Sequence, residues 1–193
     1  GIELSLKKRY SNGWAINASY VYANSKGLIS TGRGGESLGT SDLFADPNYH
    51  TNGDGRLEGE RRHQFKVQGL MKGPWGINVS GYLRAFSGYR YTRMIRSRDI
   101  GVSLGGGTQT INAEARGASA YPFETNLDLR LEKSFKISNV NLSVFVDCFN
   151  VFNNDTILDY YTTSTNASIK YLKVEGIQDP RIFRFGARIE FNQ

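Results

Sequence analysis

Residues 183–191 read Phe183-Arg184-Phe185-Gly186-Ala187-Arg188-Ile189-Glu190-Phe191. Phe183, Phe185, Ala187, Ile189 and Phe191 fall on one side of an extended chain, and Arg184, Gly186, Arg188 and Glu190 on the other. Successive side chains of a strand point to opposite faces, so this period of two predicts a strand with one apolar and one polar face. The same alternation recurs upstream. Leu127, Leu129 and Leu131 alternate with Asn126, Asp128, Arg130 and Glu132, and Val140, Leu142, Val144, Val146 and Cys148 with Asn141, Ser143, Phe145 and Asp147. Segments 64–71 and 77–86 repeat it, with Lys66 on the polar face of the first and Tyr82 and Arg84 on that of the second. Residues 2–7 and 14–22 complete a set of seven. No segment sustains a helical period, so the expected fold is all-β.

Alternation suits a soluble sandwich and a membrane barrel equally, and the connectors separate them. The first two strands meet at Ser11-Asn12-Gly13, a tight-hairpin signature. Residues 72–76 and 137–139 supply two more short turns, whereas 25–61, 93–122 and 153–180 are long. Structureless connections of about 30 residues are rare inside a compact soluble domain. Short turns alternating with long loops are the pattern of an outer-membrane barrel. The apolar stripes imply strands of about 9–11 residues, enough to cross an apolar band of about 25 Å when tilted. Tyr10, Trp14, Tyr22, Trp75, Tyr89, Tyr91 and Phe135 stand near strand ends, where interfacial girdles place aromatics. The expected fold class is therefore antiparallel transmembrane β-barrel strands, about seven of them.

Seven is odd, and bacterial single-chain barrels close on an even number. An eighth strand in 168–174 would alternate poorly. The expectation is a fragment, in which residues 1–193 form the C-terminal segment of one β-barrel domain and upstream strands are missing. The chain opens at Gly1 with no Met and no signal peptide, as a processed, engineered or partial chain would. Within the chain the sheet should stay open, with the three long connections at one end and the apolar faces uncovered.

Composition narrows the function. Lys and Arg number 24 against 18 Asp and Glu, a net charge of +6, which raises the question of nucleic acid. The basic pair Arg61-Arg62 is preceded by Glu58 and Glu60, and charges of both signs interleave along the strands, so nucleic acid is not an expected partner. No run of 18 apolar residues exists and mean hydropathy is -0.44, which excludes a transmembrane helix. The single Cys148 rules out an internal disulfide framework and a cysteine-based zinc site, and its place on an apolar stripe marks a packing thiol. His50 and His63 are the only histidines, and no Gly-x-Ser-x-Gly elbow occurs. Asp128 and Glu132 flank Arg130 on a polar face, which points to charge pairing rather than acid–base work. Asn52-Gly53-Asp54-Gly55 with Glu58 and Glu60 lacks the full spacing of a calcium loop. Gly105-Gly106-Gly107 has no following helix and no Lys-Ser/Thr pair for a phosphate. No enzymatic activity, metal or cofactor is expected.

Arg184, Gly186, Ile189 and Phe191 follow the order polar, glycine, apolar, apolar and stand two residues from the end. That order resembles the β-signal which barrel-assembly machinery reads on a last strand. Asp46-Pro47-Asn48, Asn52-Gly53-Asp54-Gly55-Arg56-Leu57 and Arg61-Arg62-His63-Gln64-Phe65-Lys66 precede Gly81-Tyr82-Leu83-Arg84-Ala85-Phe86-Ser87-Gly88-Tyr89. Asn126-Leu127-Asp128-Leu129-Arg130-Leu131, Val146-Asp147-Cys148-Phe149-Asn150-Val151-Phe152-Asn153 and Asp179-Pro180-Arg181 then follow. This ordered set, spanning nearly the whole chain, resembles TonB-dependent outer-membrane receptors, in particular the Oar-like subgroup with an amino-terminal extension similar to a carboxypeptidase regulatory domain.

The resemblance implies a transporter barrel of roughly 22 strands with a plugged lumen, of which this chain is the last third. It places the chain in the bacterial cell outer membrane, with outer-membrane lipid, the assembly machinery and an unidentified solute as partners. TonB would engage only through an amino-terminal segment that, like the plug, is missing here. Lys66, Tyr82, Arg84, Arg130, Arg184 and Arg188 are the expected lumen contacts. Two rivals stand beside this reading: a non-transporting outer-membrane barrel acting as structural protein or adhesin, and an outer-membrane enzyme with catalytic residues on the rim.

Overall fold

The computed structural model describes residues 1–28, 50–103, 107–164 and 171–191. Seven long strands form one antiparallel sheet in chain order. They are β1 (Ile2–Ser11), β2 (Trp14–Tyr22), β3 (His63–Lys72), β4 (Ile77–Phe86), β5 (Glu124–Ile137), β6 (Val140–Phe149) and β7 (Ile182–Phe191). Six are 9 or 10 residues long, and β5 reaches 14. The alternation in 126–132 under-reads β5 because Thr125 and Lys133 interrupt its apolar stripe, which resumes at Phe135 and Ile137. Among the described residues no α-helix occurs.

The sheet is open. Among the described residues β1 pairs only with β2 and β7 only with β6, and the two edge strands run in the same direction. Each strand is antiparallel to the next, so the three short turns share one end and the three long connections the other. At the first turn Asn12 and Gly13 take φ of 52° and 84°. Two left-handed residues match the twist of the flanking strands, and Asn and Gly adopt that region at low cost. The second turn places Trp75 at φ 58° and Gly76 at φ 73°, and a Cβ on Gly76 would lie 2.7 Å from the Ser134 carbonyl oxygen.

Register aligns the apolar stripes into unbroken rows. One row runs Ile16–Gly69–Gly81–Leu129–Cys148–Phe183 and the next Trp14–Met71–Val79–Leu131–Val146–Phe185. On the other face Ser19, Lys66, Arg84 and Asn126 are aligned, as are Leu70, Ser80, Arg130, Asp147 and Arg184. A slip of one residue in any strand would turn its whole apolar set to the polar side.

The strands also slide past one another. Val146 of β6 shares a row with Trp14, the turn-end residue of β2, yet β6 continues six residues further, to Val140. At about 3.3 Å per residue and 4.8 Å per strand, that is about 20 Å of slip across about 19 Å of sheet. The strands are thus inclined by about 45° to the line joining the turn tips. Tilt of this size accompanies the stagger of barrel walls.

Burial is inverted relative to a water-soluble domain. Among the described residues Met94 and Tyr121, both in the second long connection, are the buried apolar side chains. Leu6, Phe185 and Phe191 are 64%, 79% and 76% exposed. Among the described residues no second layer packs on the apolar face.

The second and third long connections are not structureless loops, contrary to the sequence reading. Residues 90–91 pair with 119–120; residues 94–96 pair with 110–112 and, in parallel, with 163–164; and 157–160 pair with 174–177. Non-local pairing of this kind leaves little trace in a single connection's pattern. Of the segment considered as an eighth strand, 168–174, Val174 belongs to the small sheet with 157–160, and 168–170 lie outside the described residues. Asp46-Pro47-Asn48 and Gly105-Gly106 also lie outside them.

Candidate functional site

The polar face is hollowed. Side chains of β1 to β6, including Lys7, Arg9, Asn17, Gln68, Tyr82 and Arg130, line a trough of about 720 Å³. At its far wall Arg130 and Asp147 belong to a charge triad. Asp147, 4% exposed, sits on β6 between Arg130 of β5 and Arg184 of β7. Arg130 donates to Asp147 through Nε at 2.5 Å and Nη2 at 3.0 Å, and Arg184 Nε and Nη2 approach Oδ2 at 2.8 and 2.7 Å. A carboxylate so withdrawn from water persists only when its lone pairs are filled, and two forked guanidinium groups fill them. The Arg130 guanidinium also lies 4.3 Å from the Phe145 ring centroid.

All six expected lumen residues stand on the polar face, but not together. Tyr82 and Arg130 line the trough, with Tyr82 opposite Asp128. Lys66 faces Arg84 across β3 and β4, and Arg84 Nη2 is 3.8 Å from Asp128 Oδ2. Arg184 joins the triad, whereas Arg188 stands apart, opposite Ser143 and 3.9 Å from Glu190. The partner of Arg130 differs from the sequence reading, which placed Asp128 and Glu132 beside it. Residues two apart on a strand are farther from each other than cross-strand partners are. Asp128 instead accepts from Asn126 and Asn150, and Glu132 from Asn78. Asp147 was thus missed as a site residue, although folding 129–148 about the 138–139 turn pairs it with Arg130.

The terminal-strand signal divides between faces. Ile189 and Phe191 lie on the exposed apolar side, Arg184 and Gly186 on the polar side. Glycine at 186 has a steric cause: a Cβ there would come within 2.3 Å of Phe145 Cζ, because the ring lies over it.

Cations on the apolar rows are held at the turn end. Lys8 Nζ donates to the Ser11 and Trp14 carbonyls and lies 3.8 Å from the Trp14 ring centroid. Lys133 Nζ donates to the Trp75 carbonyl. Trp75 and Tyr10 are exposed beside them, at the turn end. Tyr89 and Tyr91 of the aromatic set are different. They pack within the connections, Tyr89 against the Arg61 guanidinium at 3.9 Å and Tyr91 against Tyr121 and Tyr160 at 4.9 and 5.9 Å.

At the loop end the first and second connections are latched together. Thr92 Oγ1 accepts from the Gly117 N–H and donates to Glu58, and Arg56 N–H donates to the Arg116 carbonyl. Burial pushes the Glu58 carboxyl above its ordinary range, opposed by the Arg116 charge and the Thr92 hydrogen bond. Glu60 accepts from the Ser25 N–H and lies 3.8 Å from both Arg56 and Arg62. The two carboxylates considered for calcium therefore serve the protein's own groups.

The chain matches no protein-family model, no curated protein and no solved structure. Beyond its two faces the sheet carries a hydrogen-bonded apparatus at its loop end. That apparatus includes two further residues the sequence did not announce. Asn150, at φ 49° and 4% exposed, donates to the Asn154 and Asp179 carbonyls, and Gln178 docks onto Asn126. Both tie the third connection down onto the polar face.

Proposed function

We propose that this chain forms part of the wall of an outer-membrane β-barrel that takes up a solute in the manner of the TonB-dependent receptors its motifs resemble. The observation that carries the proposal is the apolar face, aligned in register over seven strands and left exposed among the described residues. A soluble monomer rarely exposes an apolar patch of more than a few hundred Å². Lipid covers such a face without needing a second protein layer. Support comes from the strand inclination, which lies at the upper end of the 35–45° range of membrane barrels, and from two lysines reaching toward the turn end as interfacial lysines do. The opposite face carries the trough and paired charges, as a wet lumen requires.

The work of the chain is then binding and passage rather than catalysis. The folded connections form the outer mouth, the trough and its cations contact the solute, and energised opening belongs to the plug and TonB. The test is fractionation of cells producing the full gene product. The expected product is an outer-membrane protein whose unheated form migrates faster on gels than the heated form, with proteolysis from outside restricted to the long connections. Recovery as a folded, water-soluble monomer would refute the proposal.

A further inference from the structure

We infer that the trough binds an acidic, hydroxyl-rich solute, a short oligosaccharide bearing carboxylates. This names the class of solute for the uptake proposed above and rests on that reading for the route by which it arrives.

An irregularity in β1 shapes one wall. Lys8 pairs with Ile16 and Ser11 with Trp14, so Arg9 and Tyr10 together oppose the single Ala15. A bulge of this kind re-aims side chains that a regular strand would send to opposite faces. Arg9 and Tyr10 both line the trough, and the Lys72 ammonium lies 5.3 Å from the Tyr10 ring centroid. From that wall one register row crosses the floor, in which Lys7, Asn17, Gln68, Tyr82 and Asp128 pair in succession on β1 to β5. The row covers four strand spacings, about 19 Å at about 4.8 Å each. With a volume of about 720 Å³, the trough suits an elongated molecule rather than a single small ion.

The groups left open along the trough decide the class. Asp147 is filled by Arg130 and Arg184. Asp128 accepts from Asn126 and from the Asn150 N–H and lies 3.8 Å from Arg84. Lys8 is held by the Ser11 and Trp14 carbonyls. Lys7 and Arg9, by contrast, are exposed and form no ion pair among the described residues, so the uncompensated charge of the trough is positive. A concave surface of one sign focuses its field on an incoming charge of the other, and a guanidinium fork matches a carboxylate. The middle of the row is neutral. Asn17 and Gln68 are exposed, and their amides have no hydrogen-bond partner among the described residues. An amide both donates and accepts, as does the Tyr82 hydroxyl, and the hydroxyls of a sugar do the same. Cations at one end and amides along the row together describe an acidic oligosaccharide.

The experiment uses the folded full gene product in detergent micelles, titrated by calorimetry with three probes. Trigalacturonate carries carboxylates and hydroxyls, maltotriose hydroxyls without charge, and tripolyphosphate charge without sugar hydroxyls. Saturable binding of trigalacturonate is expected, about tenfold or more tighter than that of either other probe. Lys7→Gln combined with Arg9→Gln should weaken it about tenfold or more, since each change removes a charge-assisted hydrogen bond. Gln68→Leu should weaken it about threefold or more through the neutral row, and Lys136→Gln, outside the trough, should leave it unchanged. Gel mobility of the unheated form verifies that each variant is folded. Absence of saturable trigalacturonate binding by folded protein, equal affinity for maltotriose or for tripolyphosphate, or an affinity unchanged by either the double substitution or Gln68→Leu would overturn the inference. Membrane location and gel mobility report on the barrel reading independently of any binding result.

Discussion

Replacing Leu129 by Arg distinguishes a lipid-facing sheet from a water-facing one. Leu129 lies in mid-strand, five residues from the start of β5 and eight from its end, in the row that runs from Ile16 to Phe183. An arginine at the bilayer midplane of a barrel costs about 2–4 kcal/mol, roughly a 30- to 700-fold loss in the folding equilibrium. On a sheet facing water the same change at an exposed position would stay within about 0.5 kcal/mol. The neighbouring Arg130→Ala supplies the comparison. It removes two hydrogen bonds from Asp147, leaves those from Arg184 at 2.8 and 2.7 Å, and places no charge in lipid. Its expected cost is about 1 kcal/mol or less, because Arg130 is partly open to water. Both are measured by urea unfolding of the full gene product in phosphatidylcholine vesicles, following the fast-migrating folded band. Equal costs for the two substitutions, or a Leu129→Arg protein that becomes a soluble monomer, would refute the assignment of faces.

Other perturbations address the last strand, the triad and the latch. Gly186→Ala should sharply lower the yield of folded protein, since the new methyl meets Phe145, and adding Phe145→Ala should restore it; gel mobility measures both. Asp147→Ala leaves Arg130 and Arg184 without their common acceptor, and urea unfolding should show a loss of about 1.5–3 kcal/mol, larger than for Arg130→Ala. Glu58 has a carboxyl pKa raised on folding, so its contribution to latch stability is full below the unfolded value and declines as pH rises through the folded one. Glu58→Gln should therefore slow exchange of the Gly117 amide at pH 7 relative to the parent, with the difference vanishing near pH 4.

Seven strands, the three short turns and the two faces were legible because register in a half-exposed sheet is a consequence of period two and hairpin position. Ile2 to Tyr22 needed only an Asn-Gly turn to be paired. The full length of β5 escaped because Lys133 sits on an apolar row, where its head group turns back to the Trp75 carbonyl. Partnerships across strands escaped for a different reason. Arg130 has two carboxylates two positions away in sequence, yet its partner Asp147 is 17 residues on, and only the folded hairpin brings them together. Gln178 and Asn150 carry no periodic signal, since their roles depend on where a 30-residue connection returns to the sheet.

The slip between strands has a bearing on how charge is distributed through the wall. Rows of side chains run at right angles to the strands, so an inclination of about 45° applies to rows as well. The row from Leu70 through Ser80, Arg130 and Asp147 to Arg184 crosses four strand spacings. In a membrane-spanning wall its two ends would differ in depth by roughly 14 Å, using about 4.8 Å per strand. Fixed charges that are neighbours in register would then form a spiral ramp rather than a ring at one level. A solute passed from one polar group to the next would turn about the pore axis as it descended.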